Sequence, residues 1–346
     1  MKMSKEFENR VYGCVVVKAI NANYNADFSG LPRRLKSDGS FYATDKSFKW
    51  LVRNYIKKNY SNENVLFTKH FHNKIETNDL KKSYDNMFPD TQLKDNSKAD
   101  KTSTKDSIFK NLTECIDVRL FGATFTPDGA KGNNISIHGN VQINHATDLY
   151  KKGRVYTDEI LAPFTAIGSM SKATEAHYIH NFSINPKNLS SWKDVFKKEE
   201  KSDKNDEEES FKLLSNEDMI ILKNAFNNSA TFYDSHSKAG IENELSIYVT
   251  LTEKSILTLP SFSQFIKFEK DKEGNNSFDI TKLIDYLSNY KSEISNIDLY
   301  YIKELLSVKY SKDDEKNKLT INEHDLLKIL NTSTKEDKDN KNETTN

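Results

Sequence analysis

The sequence predicts an α+β fold in the ferredoxin-like order of strand, helix, strand, strand, helix, strand, broken by large insertions and followed by a helical C-terminal region. Three observations predict it. Short β-branched or alternating runs recur far apart along the chain, two capped amphipathic stretches fall between them in that order, and the intervening segments are polar and lysine-rich.

The first strand is Arg10–Ile20 (RVYGCVVVKAI), a β-branched run with one glycine that reads as the centre of a sheet. After a loop rich in Asn, Asp, Gly and Pro, Thr44 caps a helix in which Phe48, Leu51, Val52 and Tyr55 recur at helical spacing. The second strand is expected at Cys115–Phe125 (CIDVRLFGATF), where Ile116, Val118 and Leu120 alternate with Asp117 and Arg119. Ala176–Ile184 (AHYIHNFSI) alternates again and is the third. A capping box, Ser215-Asn216-Glu217-Asp218, opens the second helix, with Ile220, Ile221, Leu222, Ala225 and Phe226 on one face. Leu245–Leu251 is the fourth strand. The same order serves RNA-recognition domains. Residues 60–112 and 126–172 read as insertions, the latter weakly alternating over Ile135–Ile143. Residues 279–308 and 321–331 read as helical, with Leu283, Ile284 and Leu287, then Ile302, Leu305 and Leu306, suitably spaced. From residue 331 onward the composition predicts disorder.

A chain of 346 residues can bury a sizeable core without disulfides or metal. Its 36% hydrophobic and 29% charged residues, with a mean hydropathy of −0.75, put it at the polar edge of the globular class, as large insertions require. Cys14 and Cys115 lie in apolar runs and read as reduced core residues. The N-terminus lacks an apolar signal core, and no run approaches the roughly 18 apolar residues of a membrane span, so a cytoplasmic location without a membrane partner is expected. The zero net charge hides an uneven distribution: residues 1–58 carry twelve Lys/Arg against five Asp/Glu, and residues 197–218 carry five against nine. That asymmetry permits a local phosphate-binding face on a neutral molecule, and equally a solvated charged face.

No Walker loop, nucleophile elbow, HExxH or zinc-spaced cysteine pair occurs, so no catalytic residue, cofactor or metal is predicted. His177 and His180 are three apart on a strand, which sends them to opposite faces and prevents convergence on one ion. The run from Arg119 to Phe125 matches the aromatic RNA-recognition signature poorly, so Phe121 and Phe125 are assigned to core packing. The basic cluster is more informative. Arg33 and Arg34 follow the first strand, while Lys46, Lys49 and Arg53 share one face of the first helix, a stripe able to grip consecutive phosphates. A lysine-rich solvent face fits the same pattern. Ser235-His236-Ser237-Lys238-Ala239-Gly240 suits a loop whose amides approach an anion, and Gly168-Ser169-Met170-Ser171-Lys172 has the same character.

Residues 9–56, the block DVRLFGATF (117–125) and SHSKAGIENELSIYV (235–249) together resemble the backbone subunit of type I CRISPR Cascade complexes, most closely its I-B branch. The blocks stand in family order, with His236 where the family often has Arg. The resemblance implies a hand-shaped protein. Its ferredoxin-like, RRM-like palm would comprise residues 1–59, 113–125, 173–186 and 213–258, with finger insertions at 60–112 and 126–172. A thumb at 187–212, a helical region at 259–330 and a tail at 331–346 complete the division. It further implies a non-catalytic scaffold that binds the guide RNA independently of sequence and presents bases to target DNA. Multiple copies would stack in a helical filament beside other Cascade subunits. Palm contacts to RNA would fall on Asn23, Arg33, Arg34, Lys49 and Arg53, with Ser169, Met170 and Lys172 beside a displaced base and Ser237 and Lys238 near the backbone. The alternative is an RNA endonuclease like the type III backbone proteins, using the thumb carboxylates Asp203 and Asp206.

Overall fold

The structure is a computed structural model that describes residues 5–72, 75–91, 93, 105–127, 134–161, 167–199, 211–311 and 319–330. The first strand, β1 (Val11–Ala22), is the centre of a nine-stranded sheet among the described residues. The β-branched run explains the position, because both faces of β1 are buried. Val11, Val15, Val17 and Ala19 enter one core, and Tyr12, Cys14 and Val16 enter the other. Gly13 sits where a Cβ would lie 2.2 Å from the Ile247 carbonyl oxygen and 2.3 Å from the Phe182 ring, so no other residue fits.

Helix α1 (Asp45–Asn59) starts at Thr44, whose side chain accepts from Ser47 N as the sequence predicts, and buries Phe48, Leu51, Val52, Tyr55 and Ile56. Each such side chain contributes about 1.5–3 kcal/mol relative to exposure.

The expected second strand is not one. Ile116–Phe121 forms a short helix, α2, closed by Gly122 at φ +74°, and only Gly122–Phe125 is extended. That stretch pairs with Ile135–His138 in a separate two-stranded sheet. The alternation misled because Asp117 and Arg119 are themselves buried, so polar did not mean solvent-facing. Asp117 accepts from Arg53 Nε at 3.0 Å and from Leu66 N and Phe67 N at 2.9 and 3.0 Å. Phe121 and Phe125 are core residues, as predicted.

The third strand is longer than expected. It runs as β2 over Ile167–Ile184, antiparallel to β1, and on its other side pairs with Val141–Ile143, Ala146–Asp148 and Val155–Leu161. Helix α3 (Asn216–Phe232) opens with the predicted capping box, Ser215 and Asp218 bonding reciprocally. Strand β3 (Ile241–Leu251) pairs with the other edge of β1. Helices α1 and α3 pack together with the core on one face of the sheet, where Phe48, Phe226 and Phe182 meet.

The C-terminal part departs from expectation. Thr281–Ser288 is the one α-helix among the described residues after 259, with Leu283, Ile284 and Leu287 buried as spaced. Ile294–Tyr301 is instead strand β4, antiparallel to β3, and Ile321–Asp325 is β5, parallel to β4 at the sheet's edge. Ile297, Leu299 and Tyr301 line one core while Tyr300 joins the other, a period of two that the segment's β-branched and aromatic content favours over a helix. Lys267–Lys270, Asn276–Asp279 and Leu306–Lys309 form a three-stranded sheet covering the second face.

A third core unites the insertions. Leu66, Tyr84, Ile108, Phe109 and Leu112 pack with Phe125, Ile137, Leu189 and Phe211, so segments expected as finger and thumb share one interior. Asp203, Asp206 and the tail from residue 331 lie outside the described residues.

Candidate nucleic-acid interface

At Asn21 the backbone turns left-handed, with φ +48°, and the end of β1 is stitched to its neighbours. Ile20 N donates to the Gly240 carbonyl at 2.9 Å and Asn23 N to the Ser237 carbonyl at 2.7 Å, so the 235–240 turn lies against this end. Asn23 Nδ2 donates to the carbonyls of Gly30 and Ser171, both at 2.9 Å, which ties the following loop and β2 to the same point. Lys238 Nζ donates to the Tyr24 carbonyl at 2.5 Å and lies 5.8 Å from the Tyr24 ring centroid. Burial lowers the Lys238 pKa to about 8, and no carboxylate pairs with it among the described residues. Three sequence blocks far apart in the chain therefore meet at one end of the sheet.

A second line of contacts extends from that end along α1. Arg33 Nη1 reaches the Tyr42 hydroxyl at 3.5 Å, and the Tyr42 ring stacks on His145. His145 Nδ1 lies 3.3 Å from Asp45 Oδ1, and Lys49 Nζ pairs with Asp45 Oδ2 at 3.0 Å. Lys49 and Arg53 both sit over the Phe121 ring, at 5.7 and 5.1 Å from its centroid. The basic loop and the basic face of the helix are thus continuous.

The predicted residues differ in what they offer a ligand. Arg34 is exposed, its guanidinium 4.9 Å from the Phe41 ring centroid, and Lys46 is exposed on α1. Arg33, Lys49, Lys172, Met170, Ser237 and Lys238 are half-buried, and Ser169 is exposed. Asn23 is buried, 3% exposed, and its amide nitrogen is engaged on both sides. Arg53 is committed to buried Asp117, which removes it from the stripe of free cations that the helical spacing suggested. The 168–172 segment is also not an anion-binding loop. It is strand backbone in register with residues 156–160, so alternate backbone groups are taken up by a neighbouring strand while the Ser171 carbonyl points the other way, to Asn23 Nδ2. Met170 and Lys172 share one face of β2 and Ser169 the other. Ser169 and Met170 stand in register with Glu159 and Asp158, which sets two carboxylates along that margin beside Lys172.

A family model described as "CRISPR-associated protein Cas7" matches residues 9–327. The chain belongs to the Cas7 family. No curated protein matches it. Among solved structures, this Cas7 chain is similar to a chain of a "CRISPR RNA-guided surveillance complex, pre-nicking", at 11% identity and TM-score 0.47, covering 91% of this chain and 96% of that one. It is also similar to a chain of a "CRISPR RNA-guided surveillance complex", at 12% identity and TM-score 0.45, covering 90% and 94%.

Sequence reading missed Tyr24 and His180, which support the point where these segments meet. Tyr24 is buried, with its carbonyl under Lys238 and its hydroxyl 2.9 Å from His180 Nε2. A lone aromatic in the polar run Asn21–Asn25 was the available signal. His177 and His180 do face opposite ways: His180 stacks on Phe48 beside α1, and His177 stacks on Phe268 of the C-terminal sheet and pairs with Glu244.

The assignment of Arg53 yields a test. Arg53→Gln strips a buried carboxylate of its cation and is expected to lower the unfolding free energy by about 2 kcal/mol. Arg34→Glu, at an exposed site, is expected to change it by less than about 0.5 kcal/mol. Urea denaturation of both variants checks the contrast; equal effects would contradict the structural role given to Arg53.

Proposed function

We propose that this Cas7 chain is a non-catalytic guide-RNA-binding scaffold, the repeating backbone subunit of a type I, I-B-like Cascade complex acting in the cytoplasm. The observation that carries the reading is the convergence of Arg33–Arg34, the Ser237–Lys238 turn and the start of β2 on Asn23 and Tyr24, in a chain of this family. β1, β2 and β3 with α1 and α3 serve as the RRM-like palm, and the shared third core carries the fingers and the base of the thumb. Among the described residues no helix is long and apolar enough to cross a membrane.

On this reading the guanidinium groups of Arg33 and Arg34 and the ammonium groups of Lys46, Lys49, Lys172 and Lys238 neutralise phosphates. Such contacts position a strand without reading bases, and so leave the bases free to pair with target DNA. Ser169, Met170 and Ser237 border the strand. Asn23 and Arg53 act through the architecture, Asn23 by fixing the loop that bears the arginines and Arg53 by holding α2. Further copies stack along the same RNA in a helical filament and dock on the other subunits.

Binding of labelled single-stranded RNA to the full chain, titrated over a salt series, tests the proposal. Arg33→Glu and Arg34→Glu are each expected to weaken binding about tenfold and to reduce the salt slope by about 0.7 for each phosphate no longer neutralised, equally for unrelated sequences. Unchanged affinity in both variants, or strong sequence preference in the wild type, would count against it. Cleavage of complementary RNA by the assembled complex at regular spacing, abolished by Asp203→Asn or Asp206→Asn, would replace it with the endonuclease reading.

A further inference from the structure

We propose that Phe28 is a stacking platform for one nucleobase of the bound single-stranded RNA. The inference rests on the RNA-binding reading above and adds an aromatic side chain on which a base can stack, where the cationic residues named so far meet phosphate.

Phe28 is fully exposed, at 104% of its reference area, so it packs on nothing in the protein. Large aromatics ordinarily bury most of their surface, and one held entirely in water requires an explanation. Looseness of the loop does not supply it. Asp27 Oδ1 accepts from Ser29 N at 2.8 Å and from Leu31 N at 3.0 Å, Asp27 N donates to the Leu31 carbonyl at 2.8 Å, and Gly30 N donates to the Asp27 carbonyl at 3.2 Å. Gly30 supplies the φ of +80° that closes this turn, and its carbonyl is gripped by Asn23 Nδ2. Ala26 and Pro32 bridge across the base of the loop. A pinned loop displaying an aromatic loses little further freedom when a ligand arrives.

The surroundings select the ligand. Asn23, which anchors the loop, also binds Ser171 of β2, so Phe28 projects from the convergence point itself. Arg33, Arg34 and Lys36 follow within eight residues, while the loop's two carboxylates are engaged internally, Asp27 as above and Asp38 with Ser40. An exposed π-face on a loop that runs on into two arginines suits sequence-tolerant single-strand binding, because every base has a face to stack and every nucleotide a phosphate. A protein-docking patch would need a broader apolar surface, and Leu31 is the loop's other exposed large hydrophobic residue.

The test is fluorescence-anisotropy titration of labelled oligouridine and oligoadenosine with the full chain, in wild type, Phe28→Ala, Phe28→Leu, Phe28→Tyr and Arg34→Glu, across a salt series. Phe28→Ala is expected to weaken binding about 5- to 100-fold at every salt concentration, leaving the slope unchanged, whereas Arg34→Glu reduces the slope. Phe28→Tyr is expected to retain affinity and Phe28→Leu to lose it. Wild-type affinity in Phe28→Ala, or in Phe28→Leu, overturns the proposal while the RNA reading stands. Self-association of the RNA-free protein that Phe28→Ala abolishes, with RNA affinity intact, overturns it in favour of a second copy as occupant. Absence of RNA binding by the wild type removes the RNA reading, and the role of Phe28 with it.

Discussion

Replacing Arg119 by methionine is expected to lower the unfolding free energy by about 3–5 kcal/mol, the cost of leaving a buried charge without its partner. Arg119 is 4% exposed and Asp218 2%. The guanidinium grips Asp218 through two hydrogen bonds, Nε to Oδ2 at 2.9 Å and Nη2 to Oδ1 at 2.7 Å. Its remaining hydrogens reach Glu63 at 3.2 Å and the carbonyls of Thr113 and Glu114 at 2.8 and 3.0 Å. Burial opposes the charge, yet hydrogen bonding to Asp218 and its charge outweigh it and hold the guanidinium more firmly protonated than usual. The same Asp218 caps α3, so one residue pair locks α2 to the start of α3. Chemical denaturation of Arg119→Met measures the loss. Adding Asp218→Asn, which preserves a capping side chain and removes the stranded charge, is expected to restore part of it. A loss under about 1 kcal/mol in the single variant would show that the pair does not anchor the fold.

Why that pair escaped the sequence is instructive. The alternation in Cys115–Phe125 is real, but the partners of Asp117 and Arg119 stand 64 and 99 residues away, at Arg53 and Asp218. A local pattern treats both as solvent-facing. Local signals were reliable where the physics is local: Thr44 and Ser215 start helices because their side chains cap amides within the next turn, and β1 is central because its stretch from Val11 to Val17 is buried throughout. In the C-terminal part, Leu283, Ile284 and Leu287 do lie on a helix, whereas Ile302, Leu305 and Leu306 merely share that spacing after β4 has ended. The site divides the same way. Its cationic residues were legible from charge density, but their assembly depends on Asn23 reaching Ser171 and Lys238 reaching Tyr24, across separations of 148 and 214 residues. Nothing local could show that Arg53 answers to Asp117, or that residues 168–172 belong to a strand.

Acidification from about pH 6.5 to pH 4 is expected to remove about 3 kcal/mol of stability through His180 alone. Burial lowers its pKa from 6.5 to about 4. The Asn144 carbonyl, 3.0 Å from Nδ1, can only accept, so Nδ1 carries the proton and Nε2 accepts from the Tyr24 hydroxyl. The folded pKa lies below the unfolded one, so this stabilisation is complete above about 6.5. It falls as the unfolded chain takes up a proton that the folded chain refuses, and levels off below about 4. His177 has the opposite sign. Burial disfavours its charge, but Glu244 and then Glu175 raise its pKa above the ordinary value, so its contribution is full below about 6.5 and is lost as pH rises through the folded pKa. Unfolding free energies across this range, compared between wild type and His180→Gln, isolate the acidic limb from the general titration of carboxylates. The variant is expected to be less stable at pH 7 and to lose close to one proton's worth of slope below pH 6.5; identical slopes would exclude the assignment. Because Tyr24 takes Lys238 on its carbonyl and His180 on its hydroxyl, protonating that imidazole loosens the residue on which the basic loop, the 235–240 turn and β2 converge. RNA affinity of the folded wild type, on the proposed reading, should therefore hold through most of that interval, fall only as pH approaches about 4, where the folded imidazole takes up its proton, and become flatter in His180→Gln.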